Sequence, residues 1–131
     1  MATIKSFTSL EQSRKLAEIL PIESADCFWD YDDLQKYHRI NWFEDGYNKD
    51  SQLRLNKNNV CAWSLSALLG VLPRFIEFKG NKYYLRFMKE YVEYANDEVS
   101  ITGRCLHTTG NNNLVDACYE MILKLHELNL L

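Results

Sequence analysis

The 131-residue chain has no basic block, no long uninterrupted apolar run and no closely spaced pair of cysteines. Each absence removes a class of function. Formal net charge is −3, so electrostatics supply no general drive toward DNA, RNA or anionic lipid. No stretch is long and apolar enough to cross a bilayer, so no membrane partner is expected. The N-terminus, MATIKSFTSLEQSRKLAEIL, has no continuous apolar core and does not read as a signal peptide; the expected location is cytoplasmic. Cys27, Cys61, Cys105 and Cys118 are widely spaced, and in a chain without an export signal they are expected as free, buried thiols. No internal repeat, low-complexity tract or linker interrupts the chain.

Apolar content of 47% and charged content of 25% are those of a folded protein rather than a disordered one. The length suits a single domain over 1–131, with residues 1–7 as a loose N-terminal tail. In TSLEQSRKLAEILP, Thr8 or Ser9 can cap a helix, since Thr8-x-x-Glu11 and Ser9-x-x-Gln12 both have capping-box spacing. Leu10, Leu16, Ala17 and Leu20 form its apolar stripe, and Pro21 stops it. In AWSLSALLGVLP, Leu65, Leu68, Leu69 and Leu72 recur at helical spacing behind a Ser64 cap, and Pro73 ends the run. Ser66 and Gly70 make a small-residue patch there that would admit another backbone. RFIEFKGNKYYLRFM reads as a hairpin turning at Gly80-Asn81. Residues 82–95 also fit a helix, but the turn signal favours strands, with a second hairpin through Asn96-Asp97. The final helix, NNNLVDACYEMILKLHELNLL, is capped by Asn112 or Asn113. Its stripe is Leu114, Val115, Cys118, Met121, Ile122, Leu125 and Leu128, and Asn129 is its C′ residue. Residues 27–31 and 37–43 suit short strands or irregular backbone, and 48–59 suits a loop with an extended piece near Leu53. The expected class is α+β: a small antiparallel sheet of three or more strands packed by two to three helices.

Several constellations invite a chemical reading. Cys105-x-His107 with Cys118 offers three zinc-competent groups, and Cys27, Cys61 or His126 would complete four, yet zinc sites favour close ligand pairs. Cys118 near a helix start with His107 is a thiol–imidazole pair in principle, but its place in an apolar stripe makes it core. Asp30–Asp33 and Asp45–Asp50 lack the alternating ligands of a calcium loop, with Tyr47 and Lys49 at the wrong positions. Asp30, Asp32, Glu44 and Asp45 are candidates for paired-carboxylate chemistry beside aromatics, though acids rimming a small aromatic core are the simpler account. TTGNNN lacks the glycines and lysine of a phosphate loop and reads as a turn and cap. No metal, cofactor or catalytic residue is therefore expected.

From Ser64 to Leu128 the expected α–β–β–β–α order resembles a double-stranded-RNA-binding domain in layout. The lysine cluster that grips phosphates there is missing from NNNLVDACYE, which disfavours nucleic acid. GNNNLVDAC is faintly similar to antitoxin-type partner domains of bacterial toxin–antitoxin pairs. Three blocks, SLEQSRKLAEIL, AWSLSALLGVLP and NNNLVDACYEMILKLHEL, together resemble short proteins of unknown function from prophages and mobile elements of gut bacteria. That resemblance implies a bacterial or phage cytoplasmic origin and carries no activity. The expectation is a non-enzymatic accessory protein acting by protein binding. Trp29, Tyr31, Trp42, Phe43 and Tyr47 in the aromatic–acidic segment are its anchors, since Trp and Tyr are enriched at binding hot spots. Its partner is a protein, a basic one included, or a second copy in a homodimer. A nucleic-acid-associated or antitoxin-like regulator and a small hydrolase are the rival readings.

Overall fold

The structure, a computed structural model, describes residues 5–87, 91–96, 104–110 and 113–131, the third of these spans by its backbone alone. Contacts divide the chain into two units, Ser6–Ala67 and Lys5 with Leu68–Leu131. Antiparallel sheet and helix combine in both, as an α+β chain should, but the strands form two sheets rather than one.

In Ser6–Ala67, helix α1 (Leu10–Ala17) begins at Ser9, not Thr8. The Ser9 hydroxyl accepts from the Gln12 amide at 3.1 Å, and the Gln12 side chain accepts from the Ser9 amide at 3.0 Å. This reciprocal box satisfies two of the amides a helix start leaves without partners. Thr8 has a different task. Fully buried, it donates its amide to the Trp63 carbonyl at 2.9 Å, and its hydroxyl accepts from the Trp63 amide at 3.2 Å. The expected loose tail is shorter than predicted at its inner end. Phe7 bridges Ser64, and the Ser6 carbonyl accepts from the Leu65 amide. Residues 1–4 lie outside the described residues.

Strands β1 (Cys27–Asp32) and β2 (Tyr37–Trp42) form an antiparallel pair from Cys27↔Trp42 to Asp32↔Tyr37. The stretch 48–59 is not all loop, and Leu53 is helical rather than extended: Asn48 caps a short helix α2 (Lys49–Leu53), its side chain accepting from the Ser51 amide at 3.0 Å. Strand β3 (Val60–Ala62) pairs with the other edge of β1, giving the order β2-β1-β3, and α1 lies against β3. Leu16, Ala25, Cys27, Phe28, Cys61, Ala62 and Trp63 are buried here. Helix α3 (Leu65–Val71) follows, and the Ser64 hydroxyl accepts from the Ala67 amide as predicted. Of its four-leucine stripe, Leu68 and Leu72 are buried and Leu65 and Leu69 only partly. Gly70 is exposed with open space where a Cβ would stand, so among the described residues no backbone closes on it as the small-residue patch suggested.

In the second unit, β4 (Phe75–Phe78) and β5 (Asn81–Phe87) form the expected hairpin. Its turn sits one residue earlier than predicted, at Lys79-Gly80, both at positive φ (51° and 81°) as a two-residue primed turn requires. Strand β6 (Tyr91–Asn96) follows, so the strand reading of 82–95 holds where residues are described. The predicted turn at Asn96-Asp97 runs outside the described residues. The partner of β6 is β7 (Arg104–Gly110), completing the order β4-β5-β6-β7. Among the described residues, four strands thus lie between α3 and the last helix, one more than the RNA-binding layout. Helix α4 (Leu114–Glu127) lies along β6 and β7. Asn113 caps it, accepting from the Asp116 amide at 2.8 Å, and Val115, Cys118, Met121, Ile122 and Leu125 are buried as the stripe predicted. Asn129, at φ 59°, donates to the His126 carbonyl while Leu130 donates to the Leu125 carbonyl. That pair of bonds is the Schellman ending.

Candidate binding cleft

The aromatic–acidic segment folds as β1, β2 and the loop leading to α2, and pairing sorts its side chains. Residues opposite one another in an antiparallel ladder share a face, so Phe28 and Asp30 stand with Asn41 and Arg39, and Trp29 and Tyr31 with Ile40 and His38. The five predicted anchors consequently separate. Trp29 is half-buried: its indole N–H donates to the Thr8 carbonyl at 3.2 Å and its ring meets Phe7 edge-on at 5.6 Å. Tyr31 packs against the His38 ring at 4.8 Å, and Phe43 against Phe28 at 4.8 Å. These three hold the unit together. Trp42 and Tyr47 do not share their fate, being 52% and 67% exposed.

Trp42 and Tyr47 border a cleft of about 340 Å³. Phe28 and Leu55 complete its apolar wall, while Asp30, Glu44, Asn41 and Gln52 supply its polar groups. Leu55, 84% exposed, is a wall residue that the sequence reading missed. It lies in the polar run 48–59, and only the turn of α2 brings it beside Trp42. An adjoining hollow of about 270 Å³ is lined by Asp26, Phe43, Glu44, Asp45, Gly46, Tyr47 and Lys49.

The loop carrying Glu44 and Tyr47 is fixed by one side chain. Gln52 accepts from the Glu44 amide at 3.0 Å and donates to the Tyr47 carbonyl at 3.3 Å. Gly46, at φ 83°, lets the loop turn between them. Lys49 anchors the opposite side, donating to the Ala25 and Glu23 carbonyls at 2.5 and 3.0 Å with its ammonium 5.6 Å from the Phe43 ring centre. The exposed walls are therefore held in place before any partner arrives, which lowers the entropic cost of binding.

No family model, curated protein or solved structure matches this chain. The site must be read from its own geometry.

Electrostatics give the cleft a sign. Residues 26–50 hold seven acidic residues (Asp26, Asp30, Asp32, Asp33, Glu44, Asp45, Asp50) against three basic ones (Lys36, Arg39, Lys49). Arg39 turns toward Asp32 at 3.9 Å, and Lys49 is occupied by backbone carbonyls. Among the described residues the carboxylates of Asp30, Glu44 and Asp45 have no ion pair or hydrogen bond. No basic residue lines the Trp42–Tyr47 cleft.

The other constellations resolve differently. Cys118 is fully buried on α4, and burial pushes its thiol up to about 12, the reverse of the shift that activates a nucleophile. Cys27 and Cys61 are likewise free and buried, with thiols raised chiefly by desolvation. They sit on neighbouring strands but at successive register positions, Cys27 facing Ala62 and Cys61 facing Phe28, which places them on opposite faces of the sheet. The side chains of Cys105 and His107 lie outside the described residues. Their strand is irregular at that point, stepping from Tyr94↔His107 to Ala95↔Cys105 past Leu106. Among the described residues no cluster of three metal-ligating side chains occurs. Asp26 accepts from the Ser64 amide at 2.9 Å and from the Ser64 hydroxyl, tying β1 to the start of α3.

Proposed function

We propose that the chain is a non-enzymatic protein-binding module whose contact face is the Trp42–Tyr47 cleft. The observation that carries this is the exposure of Trp42, Tyr47 and Leu55 around one concavity, with the loop that carries Tyr47 already fixed by Gln52. Exposed aromatics of this kind are the side chains that dominate interface energetics when a partner covers them. Origin in a bacterial prophage or mobile element and a cytoplasmic location belong to this reading, supported by the three resembling blocks; no described helix is long and apolar enough to cross a membrane.

The test compares captures by the full chain, by the double variant Trp42→Ala/Tyr47→Ala and by the variant Phe75→Ala/Tyr84→Ala on the other sheet, all shown to be folded by circular dichroism. A partner held by the first and third and lost by the second supports the assignment. Equal capture by all three contradicts it. A hot-spot tryptophan is worth roughly 2 kcal/mol or more, so the double variant should weaken the complex at least about thirtyfold.

A further inference from the structure

We propose that the Trp42–Tyr47 cleft receives a lysine or arginine side chain carried on the surface of the partner protein. The inference rests on the binding-face reading and identifies the group that fills it. Three observations converge. Aromatic rings attract a cation placed within about 6 Å of their faces, and Trp42 and Tyr47 are both more than half exposed at the cleft. Asp30 and Glu44 stand in the same cleft, and their carboxylates form no ion pair among the described residues, Arg39 opposite Asp30 being turned toward Asp32. Phe28 and Leu55 give the wall an apolar stretch, which suits the methylene stem that a long basic side chain lays against apolar surface while its charge reaches out.

The chain shows the same pairing elsewhere. Lys49 holds its ammonium 5.6 Å from the Phe43 ring, in the hollow next to the cleft. On the other sheet, Lys82 lies 4.0 Å from the Phe75 ring centre. In both places this chain supplies its own cation to its own aromatic. In the wall of the Trp42–Tyr47 cleft it supplies the rings and the carboxylates but no basic residue, and a partner completes the set. An acidic or neutral occupant would leave Asp30 and Glu44 desolvated without compensation, which selects a basic one.

The test measures fluorescence anisotropy of labelled peptides of repeating Gly-Lys-Ser with the full chain, alongside the same peptide with every lysine acetylated. Acetylation keeps the stem and removes the charge, so the acetylated peptide should bind about tenfold more weakly. Trp42→Ala should weaken the lysine peptide by a similar factor, Trp42→Phe by less, and Glu44→Gln by roughly threefold, with affinity falling as salt rises. Acetylated and lysine peptides binding equally, or lysine-peptide binding indifferent to Trp42→Ala, overturns the cationic occupant. So does an absence of binding by the lysine peptide. If partner capture still depends on Trp42 in those cases, the binding face stands and only its occupant is wrong; if capture is also indifferent, both fail.

Discussion

Thr8 and Ser9 show how far a single residue can be read from sequence. The spacing Ser9-x-x-Gln12 points to a capping box without any structure, and Ser9→Ala should cost about 1 kcal/mol in denaturant unfolding. Thr8 has the same local pattern but bonds Trp63, 55 positions away, so nothing in its neighbourhood reveals its role. Thr8→Val keeps the volume and strands a buried Trp63 amide; it should cost about 1–3 kcal/mol, and a loss below a few tenths would show that amide to be satisfied otherwise. The same divide runs through the aromatics. Trp29, Trp42 and Trp63 look alike in sequence, yet Trp63 donates its indole N–H to the Ser24 hydroxyl and Trp29 to the Thr8 carbonyl. Trp29→Ala should therefore destabilise by about 2 kcal/mol or more, whereas Trp42→Ala should change stability by no more than about 0.5 kcal/mol.

Elements with a strong local signal were legible. The stripe and caps of α4 need only residues within a few turns of each other, and the Lys79-Gly80 hairpin needs only a turn between β-favouring runs. The turn also leaves room for improvement, because Lys79 holds positive φ at a cost that asparagine largely avoids. Lys79→Asn should stabilise the chain by about 0.5–1 kcal/mol, read as a shift of the denaturation midpoint at unchanged slope. The short strands expected at 27–31 and 37–43 formed as β1 and β2, but helix α2 and strand β3 were not legible. Helix α2 spans five residues and owes its place to Asn48, Gln52 and Lys49 bonding outside the helix. Those bonds place Leu55 in the cleft wall beside Tyr47, so whereas Trp42 and Tyr47 stood out by residue type, Leu55 could not be found by scanning for periodicity. Neither could the division of strands between two sheets, since partner choice in a sheet depends on residues far apart in sequence.

Across the whole molecule, three described cysteines are free and buried, two in one unit and one in the other. Desolvation raises all three thiols above the ordinary value of 9.0, so the folded chain keeps protons that the unfolded chain releases. Stability should be level below about pH 8 and fall as pH climbs above 9, by up to about 1.4 kcal/mol per pH unit for each thiol. A denaturation midpoint unchanged between neutral and strongly alkaline solution would show these thiols to be solvated. Charge is also distributed unevenly at this scale, with the acidic surplus concentrated in residues 26–50, of which Asp30 and Glu44 line a cleft whose wall holds no basic residue. The central claim is that this cleft, and Trp42 in particular, is where a partner binds, while Trp29 and Trp63 serve the fold. The three indole N–H signals in a ¹H–¹⁵N NMR titration with the partner captured by the intact chain test it most directly. The Trp42 indole, fast to exchange with solvent in the free protein, should shift and become protected, with Trp29 and Trp63 unmoved. A Trp42 signal that stays in place while the partner binds would contradict it.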